Sequence, residues 1–128
     1  MKLLLDTCTF LWWIRGGSEI TGRVVDVVRA AENEVYLSAA SAWEIALKHG
    51  RGRLRLSEPP ERYVPAQREA HHITSLPVDE ESALHVLRLP DLHRDPFDRM
   101  LVAQAIVHGL TIVTPDPLVL QYPARTMW

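Results

Sequence analysis

The sequence has few of the features on which several large classes of protein depend. It contains a single cysteine, Cys8, so no disulfide can form within the chain, and we expect a reducing, cytoplasmic setting. No apolar run approaches the ~20 residues that span a bilayer, so no association with a membrane is expected. The net charge of −2 argues against a protein that coats nucleic acid by bulk positive charge, although it does not exclude a local basic patch.

Motifs of several common sites are also missing. No glycine-rich stretch fits the dinucleotide-binding or P-loop pattern, and no serine stands in a nucleophile elbow. The only adjacent histidines, His71 and His72, point away from each other on a helix, which argues against a zinc site. Nothing in the sequence places a base beside Cys8 to activate it as a nucleophile. The acidic residues therefore remain as the candidates for chemistry.

What is present is the patterning of one globular domain. The chain is 47% hydrophobic and 23% charged, and no linker or repeat divides residues 1–128. Strands are predicted at residues 3–5, 35–37 and 110–113, with an edge strand within 73–78 and a last strand at 124–127. Helices are predicted at residues 10–14, 21–31, 42–48, 60–71, 80–89, 97–108 and 118–121. The alternation predicts an α/β domain with a mostly parallel sheet between layers of helices.

Two of these elements carry a further expectation. The apolar start of the chain predicts a buried strand rather than a signal peptide, because an acid follows after only three leucines. The helix at 97–108 is expected to bury one set of apolar side chains: Met100, Leu101, Ala103, Ile106 and Val107.

Three acidic residues fall near the carboxyl ends of predicted strands. Asp6 ends the first strand, Glu44 lies in the first turn of the helix after the second, and Asp116 follows the strand at 110–113. Because functional groups gather outside the carboxyl ends of strands in open parallel sheets, these acids are expected to meet. Each also has a structural alternative: Asp6 and Asp116 can cap a helix or turn, and Glu44 can form a capping box with Ser41.

Two further acids open the helix predicted at 97–108, in the stretch His93-Arg94-Asp95-Pro96-Phe97-Asp98-Arg99-Met100-Leu101. Asp95 suits the N-cap, Pro96 the first helical position and Asp98 the third, where an acid is favoured. Acids one turn apart also suit a metal site. The strand-end rule alone puts this helix start at the opposite end of the sheet, so the residues themselves leave the position of Asp98 open.

A cluster of carboxylates has a specific chemical meaning. Crowded carboxylates repel each other, so some of them must be protonated or neutralised by a cation. Hard oxygen ligands select Mg²⁺ or Mn²⁺, which also bind substrate phosphate and activate water. The cluster would therefore suit a metal-dependent nuclease.

Several segments match one known family, in the same order and nearly end to end. They are Leu4-Leu5-Asp6-Thr7, Ser38-Ala39-Ala40-Ser41-Ala42-Trp43-Glu44-Ile45, Gly52-Arg53-Leu54, Leu89-Pro90, the stretch from His93 on through Val102-Ala103-Gln104-Ala105, and Thr111-Ile112-Val113-Thr114-Pro115-Asp116. On these residues the chain resembles the PIN-domain ribonuclease toxins of the VapC type, from bacterial toxin–antitoxin pairs. Departures are small: Cys8 stands where His or Ser is usual, and Pro115 replaces a polar residue before the last acid.

The resemblance implies a fold and an acidic site. The fold is the PIN α/β/α sandwich of three layers, which brings the start of the Asp98 helix to the other acids. The implied catalytic residues are Asp6, Glu44, Asp98 and Asp116. Asp6 and Asp98 would be the principal Mg²⁺ ligands, with Mn²⁺ able to substitute and with Glu44 and Asp116 as further candidates. Asp95 would stand behind the ligands or act only as a helix cap, and Thr7 and Thr114 would orient acids or water.

The resemblance also implies the function of a toxin that hydrolyses RNA, pairs as a homodimer and is blocked by an antitoxin. Lys48, Arg51, Arg53 and Arg55 would hold RNA phosphates, or would form a solvated loop that offsets the acids. Three tryptophans would stack on bases, or would pack in the core or a dimer interface: Trp12, Trp13 and Trp43.

Two other functions fit the sequence less well. A PIN-fold binding module without catalysis is disfavoured by the intact set of acids. A receiver-type phospho-acceptor domain needs an acidic pair after the first strand and a lysine late in the chain. This sequence has one acid there, and its lysines are Lys2 and Lys48.

Overall fold

A parallel sheet forms the centre of the molecule in the computed structural model, which describes residues 1–92 and 94–128. His93, in the motif noted above, lies outside the described residues. The strands of the described chain are β1 (Lys2–Leu5), β2 (Glu34–Ser38), β3 (Thr74–Leu76), β4 (Thr111–Val113) and β5 (Thr126–Met127). Their order is β3-β2-β1-β4-β5, and every neighbouring pair is parallel. The strand predicted within 73–78 lies at an edge, as expected, although Pro77 directly follows the strand rather than lying in it.

Helices connect these strands, and many of their ends follow the expected capping residues. The helices are α1 (Thr7–Arg15), α2 (Gly22–Arg29), α3 (Ala39–Gly50), α4 (Pro60–Ala70), α5 (Glu80–His85), α6 (Pro96–His108) and α7 (Pro117–Leu120), with a 3₁₀ turn at Val86–Arg88. Thr21 caps α2 and Asp95 caps α6, as predicted. Gly109 ends α6 at φ 67°, in the left-handed region that a residue without a Cβ adopts readily.

The central strand divides the apolar core into two layers. Leu3 and Leu5 pack on one face of the sheet with apolar residues of α1 to α4, whereas Leu4 packs on the other face with α6 and α7. All three leucines are fully buried, as expected for a parallel strand covered on both sides. The expected α/β/α sandwich is therefore confirmed. No helix in the described chain is long and apolar enough to cross a bilayer.

Two sequence predictions need correction. Helix α3 begins at Ala39 rather than at residue 42, because the Ser38 hydroxyl accepts a hydrogen bond from the Ala40 N–H and caps the helix earlier. Helix α6 buries the continuous run from 101 to 105, and its predicted core residues Met100, Ile106 and Val107 are only half-buried. The reason is that α6 contacts α3 and α5 as well as the sheet, so more than one of its faces is covered.

That packing buries Gln104, a polar residue in the middle of α6. Its Oε1 accepts a hydrogen bond from the Ser38 Oγ at 2.6 Å, and its Nε2 donates to the Pro77 carbonyl at 3.0 Å. The side chain is fully buried and so joins α6 to the ends of β2 and β3. These bonds satisfy a group that would otherwise be costly to bury.

We expect Gln104→Leu to destabilise the protein, because it leaves the Ser38 hydroxyl and the Pro77 carbonyl without their partner. The free energy of unfolding, measured by urea denaturation, should fall by about 1–3 kcal/mol. The same substitution at the exposed Gln121 serves as the control and should change it by less than about 0.5 kcal/mol. An equal effect at both positions would show that the buried hydrogen bonds do not matter.

A second tertiary contact is formed by Asp79, which caps α5 and pairs with His108 at the end of α6 (Nε2 to Oδ1, 2.9 Å). The hydrogen bond to His108, followed by that from Ser82, holds the pKa of Asp79 well below its ordinary value of 3.8. A carboxyl group whose pKa is lower in the folded state stabilises the fold at pH values above its unfolded pKa. This stabilisation is lost as the pH falls through the folded pKa.

Asp79→Ala should therefore lower the Tm at pH 7, and the difference in Tm from the parent should shrink below pH 3.8.

Thermal unfolding followed by circular dichroism at several pH values would test this expectation. Asp26→Ala, at an exposed acid on α2, is the control and should show no such pH dependence. A Tm difference for Asp79→Ala that stays constant from pH 7 to pH 3 would contradict the linkage.

Candidate metal centre

The first acid of the site is Asp6, at the junction of β1 and α1. It is buried, with 6% of its surface exposed, and it caps α1 by accepting a hydrogen bond from the Thr9 N–H at 2.7 Å. Its other oxygen accepts from the Thr114 hydroxyl at 2.5 Å, just beyond β4. The carboxylate thus joins the ends of two neighbouring strands, as the strand-end rule predicts.

Asp116 lies next to this group. It caps α7 through the Leu118 N–H, and its own N–H donates to the Thr114 hydroxyl. Burial raises the pKa of Asp6, the hydrogen bonds from Thr114 and Thr9 lower it in part, and the negative charge of Asp116 raises it further. Within residues 1–92 and 94–128, the hydrogen-bond donors to the Asp6 carboxylate are neutral, and the charge of the neighbouring acid Asp116 opposes its ionisation.

Glu44 is also buried, and it is held from two sides. The Thr7 hydroxyl donates to its Oε1 at 2.6 Å, and the Lys48 ammonium lies 2.7 Å from its Oε2. The hydrogen bond to Glu44 raises the pKa of Lys48. Because α3 starts at Ala39, Glu44 lies in its second turn, and the predicted capping box is wrong. The Ser41 hydroxyl lies 2.9 Å from that of Thr7 instead.

Asp95 and Asp98 occupy the start of α6. Asp95 is the N-cap, and its carboxylate accepts from the Phe97 N–H at 2.9 Å and from the Asp98 N–H at 3.4 Å. Asp98 is half-buried in the first helical turn. The predicted capping role of Asp95 is therefore confirmed.

The helices that carry Asp6, Glu44 and Asp98 are in contact near these acids: the Thr7 hydroxyl of α1 donates to Glu44 of α3, and Trp43 of α3 contacts Phe97 of α6. Burial raises the pKa of the Cys8 thiol, and the charges of Asp6, Glu44 and Asp98 raise it further, while Lys48 lowers it. Asp98 therefore lies at the same end of the sheet as the other acids, and the opposite end, expected from the strand-end rule alone, is wrong. The reason is that α6 leads into the parallel strand β4 and runs antiparallel to it, so α6 starts at the carboxyl end of the strands.

Arg99 anchors the first turns of α6, a role that was not predicted from the sequence. Its guanidinium donates to the Pro90 carbonyl at 3.0 Å, the Val86 carbonyl at 3.2 Å and the Tyr122 hydroxyl at 3.1 Å. These bonds join α6 to the segment that precedes it and to the carboxyl-terminal part of the chain. In the sequence, only the position of the arginine directly after Asp98 indicates that it could hold this part of α6.

The predicted basic and aromatic residues divide between the site and other surfaces. Lys48 belongs to the site through Glu44, whereas Arg51, Arg53 and Arg55 are exposed beyond the end of α3. Trp12 packs edge-on against Trp128, and Trp13 lies under the Arg29 guanidinium. Packing in the core, one of the alternatives predicted for Trp43, is wrong, because Trp43 is exposed and contacts Phe97.

The family follows from comparison with known proteins. Residues 3–122 match the sequence profile of the PIN domain. The chain belongs to the PIN-domain family.

Similar proteins place this PIN domain close to the VapC type, as its motifs suggested. It is 28% identical over 115 residues to the Ribonuclease VapC22 of Mycobacterium tuberculosis, across 89% of this chain and 86% of that protein. Its fold is like that of a chain in VapBC2 from Rickettsia felis bound to a promoter DNA fragment, with a TM-score of 0.75, 13% identity and coverage of 99% and 98%. A chain of DNA-bound VapBC from Salmonella typhimurium gives a TM-score of 0.66 at 21% identity, with coverage of 99% and 97%.

The donor chemistry of this PIN domain fits a hard divalent cation. The acids present carboxylate oxygens, and two hydroxyls lie among them, those of Thr7 and Thr114. Within residues 1–92 and 94–128, no three His, Cys, Asp or Glu side chains are close enough together to form a ligand shell by themselves. Mg²⁺ does not require such a shell, since it usually binds through one or two carboxylates and keeps several waters.

Arg99 offers a test of how the PIN domain supports this site. Arg99→Lys keeps the charge but removes the planar fork that reaches two carbonyls and a hydroxyl, so the free energy of unfolding should fall by about 1–2 kcal/mol. Urea denaturation measures the change, and Arg88→Lys, at an exposed arginine of the 3₁₀ turn, is the matched control. Indistinguishable denaturation midpoints for Arg99→Lys and the parent would refute the role of the fork.

Proposed function

We propose that this PIN domain is a Mg²⁺-dependent endoribonuclease and the toxin of a type II toxin–antitoxin pair. The observation that carries the proposal is that the segments bearing the four acids meet at one end of the sheet. Thr7, next to Asp6, donates to Glu44, the Thr114 hydroxyl bonds to the Asp6 carboxylate and the Asp116 N–H, and Phe97, next to Asp98, contacts Trp43, next to Glu44. A similar protein bears the name ribonuclease, which supports RNA as the substrate. We take residues 1–128 to act as a single domain in the cytoplasm.

The four acids would have different roles in binding the metal. Asp6 and Asp98 are proposed as the principal ligands of Mg²⁺ or Mn²⁺, with Asp116 and Glu44 near them. When bound, the cation supplies positive charge that polarises the phosphodiester group and lowers the pKa of water. It would also offset the unfavourable placing of the buried Asp6 carboxylate beside Asp116.

The other residues of the site would orient these groups. Thr114 and the Thr9 N–H fix the two oxygens of Asp6, and Thr7 fixes one oxygen of Glu44. Lys48 carries three N–H donors, of which Glu44 takes one, and its raised pKa keeps it charged. We assign Lys48 to a phosphate oxygen of the substrate, with Arg51, Arg53 and Arg55 contacting RNA further from the site.

Assembly with partners is part of the same proposal. Solved structures with this fold include VapBC complexes from Rickettsia felis and Salmonella typhimurium. We propose a homodimer that binds a cognate antitoxin. Exposed leucines provide apolar surface that such assembly would bury: Leu84, Leu87, Leu92, Leu118 and Leu120.

Substitution of the acids tests the site. Asp98→Asn should reduce RNA cleavage by at least about 100-fold, because it removes a charge from the metal site at almost constant volume. Asp95→Asn should keep most of the activity, since Asn caps a helix as well as Asp does. Asp79→Asn, at the capping acid of α5, is the matched control and should cleave like the parent.

The same cleavage assay tests whether activity requires a divalent metal. EDTA should abolish cleavage, and Mg²⁺ or Mn²⁺ should restore it. Unchanged cleavage by Asp98→Asn would refute the assignment. A parent protein that binds Mn²⁺ in calorimetry and binds RNA, yet leaves the RNA intact, would show a binding module in place of a nuclease.

A further inference from the structure

A cavity of about 770 Å³ lies between α1, α2 and α4, away from the acids. Trp13 comes to it from the end of α1, Asn33 directly precedes β2, and His71 and His72 follow α4. The cavity therefore lies at the amino-terminal end of the sheet, whereas the acids lie at the carboxyl ends of the strands. Its volume is in the range of sites that hold small organic molecules in proteins.

The inner wall of this cavity is apolar. It is lined by Val25 and Val28 of α2 and by Val35 of β2, which belongs to the core. The half-buried Trp13 adds an aromatic side to the same wall. A hydrocarbon or aromatic body that enters the cavity leaves water for this apolar surface, which favours its binding.

Three basic residues line the cavity from its exposed side: Arg29, His71 and His72. The Arg29 guanidinium lies over the Trp13 ring, 5.8 Å from the ring centroid. This contact uses the flat face of the guanidinium, so its in-plane N–H groups can still donate to a carboxylate. None of the described residues that line the cavity is acidic. The lining therefore favours an anion.

His72 occupies a position that disfavours a side chain. It ends α4 at φ 56°, and in the described chain it is the one residue other than glycine with a positive φ. The Ile73 N–H donates past it to the Arg68 carbonyl at 2.8 Å, a helix end at which glycine is usual. Strained residues of this kind are common at sites that bind ligands. Glycine would fit this backbone better, but it would remove the imidazole from the cavity.

We propose that this cavity binds a small organic acid, with the apolar body against Trp13 and the valines and the carboxylate at Arg29 between the two histidines. A neutral hydrocarbon would gain nothing from Arg29, and a bare inorganic anion would leave the apolar wall in water. The site is separate from the acid cluster, so the inference does not depend on the proposed ribonuclease function.

Binding of naphthoate to the full chain, measured by calorimetry, tests the proposal. Naphthamide has the same rings without the charge, and we expect it to bind roughly 10-fold more weakly. Decanoate, compared with naphthoate, shows whether the site prefers an aliphatic or an aromatic acid. In nuclear magnetic resonance spectra, naphthoate should shift the indole N–H signal of Trp13 and leave that of Trp43, on α3, unchanged.

Substitutions at the cavity separate its charge from its space. Arg29→Gln should weaken binding of naphthoate roughly 10-fold and leave naphthamide unaffected, with the exposed Arg23→Gln on the same helix as the control. Ala70→Phe should fill the cavity and abolish binding of both compounds. Ala66→Phe, exposed on α4 outside the cavity, should bind like the parent. Tm values confirm that each variant is folded.

His72→Gly should change stability and binding in opposite directions. The urea midpoint should rise, because glycine adopts a positive φ without strain, while the affinity for naphthoate falls. A role in the fold alone would not produce this opposition.

Four results would overturn the proposal. Naphthoate that does not saturate the protein below about 1 mM would show that no such site exists. Equal affinities for naphthoate and naphthamide would exclude a role for charge. Unchanged binding by Ala70→Phe would place the ligand elsewhere. A protein partner that covers Trp13, with no binding of naphthoate, would show that the cavity is a docking surface for protein. None of these results bears on RNA cleavage.

Discussion

The arrangement of the candidate site depends on the two hydrogen bonds accepted by the buried carboxylate of Asp6. One bond, from the Thr9 N–H, starts α1, and the other, from the Thr114 hydroxyl, ties the end of β1 to the segment after β4. Neutral donors satisfy the geometry of this carboxylate but supply no opposite charge. The fold therefore holds an acid in a place where its ionised form is disfavoured, and it places a second acid, Asp116, beside it. A cation is the simplest group that would relieve both effects.

Capping and chemistry are combined in the same acids rather than divided among different ones. Asp6, Asp95 and Asp116 each accept a backbone N–H at the start of a helix, so three helices begin around the site. Because the N-terminal end of a helix carries partial positive charge, these starts make the region less unfavourable for carboxylates than bare proximity suggests. Helix capping thus explains how several acids can gather within a small domain without unfolding it.

The sequence was sufficient for features set by local chemistry. Apolar runs located the strands, and Thr21, Asp95 and Gly109 fixed helix ends that the structure reproduces. Features set by packing were not accessible in this way. The burial of Gln104 depends on α6 being covered on several sides, and the hydrogen bonds of Arg99 reach carbonyls up to 13 residues away. The pairing of Lys48 with Glu44 could be predicted from their spacing of four residues, since both lie within the helix predicted at 42–48.

The bond between Asp6 and Thr114 spans 108 residues of sequence, and this separation has a consequence for synthesis of the chain. Asp6 is therefore synthesised long before its partner Thr114 and before Asp116. Contacts of such sequence separation form only once the intervening chain can close the loop between them. A nascent chain that stops before residue 111 therefore lacks β4, Thr114 and Asp116. If the cluster acts on RNA, the ribosome that makes this protein is exposed to the complete site only after Asp116 has been synthesised.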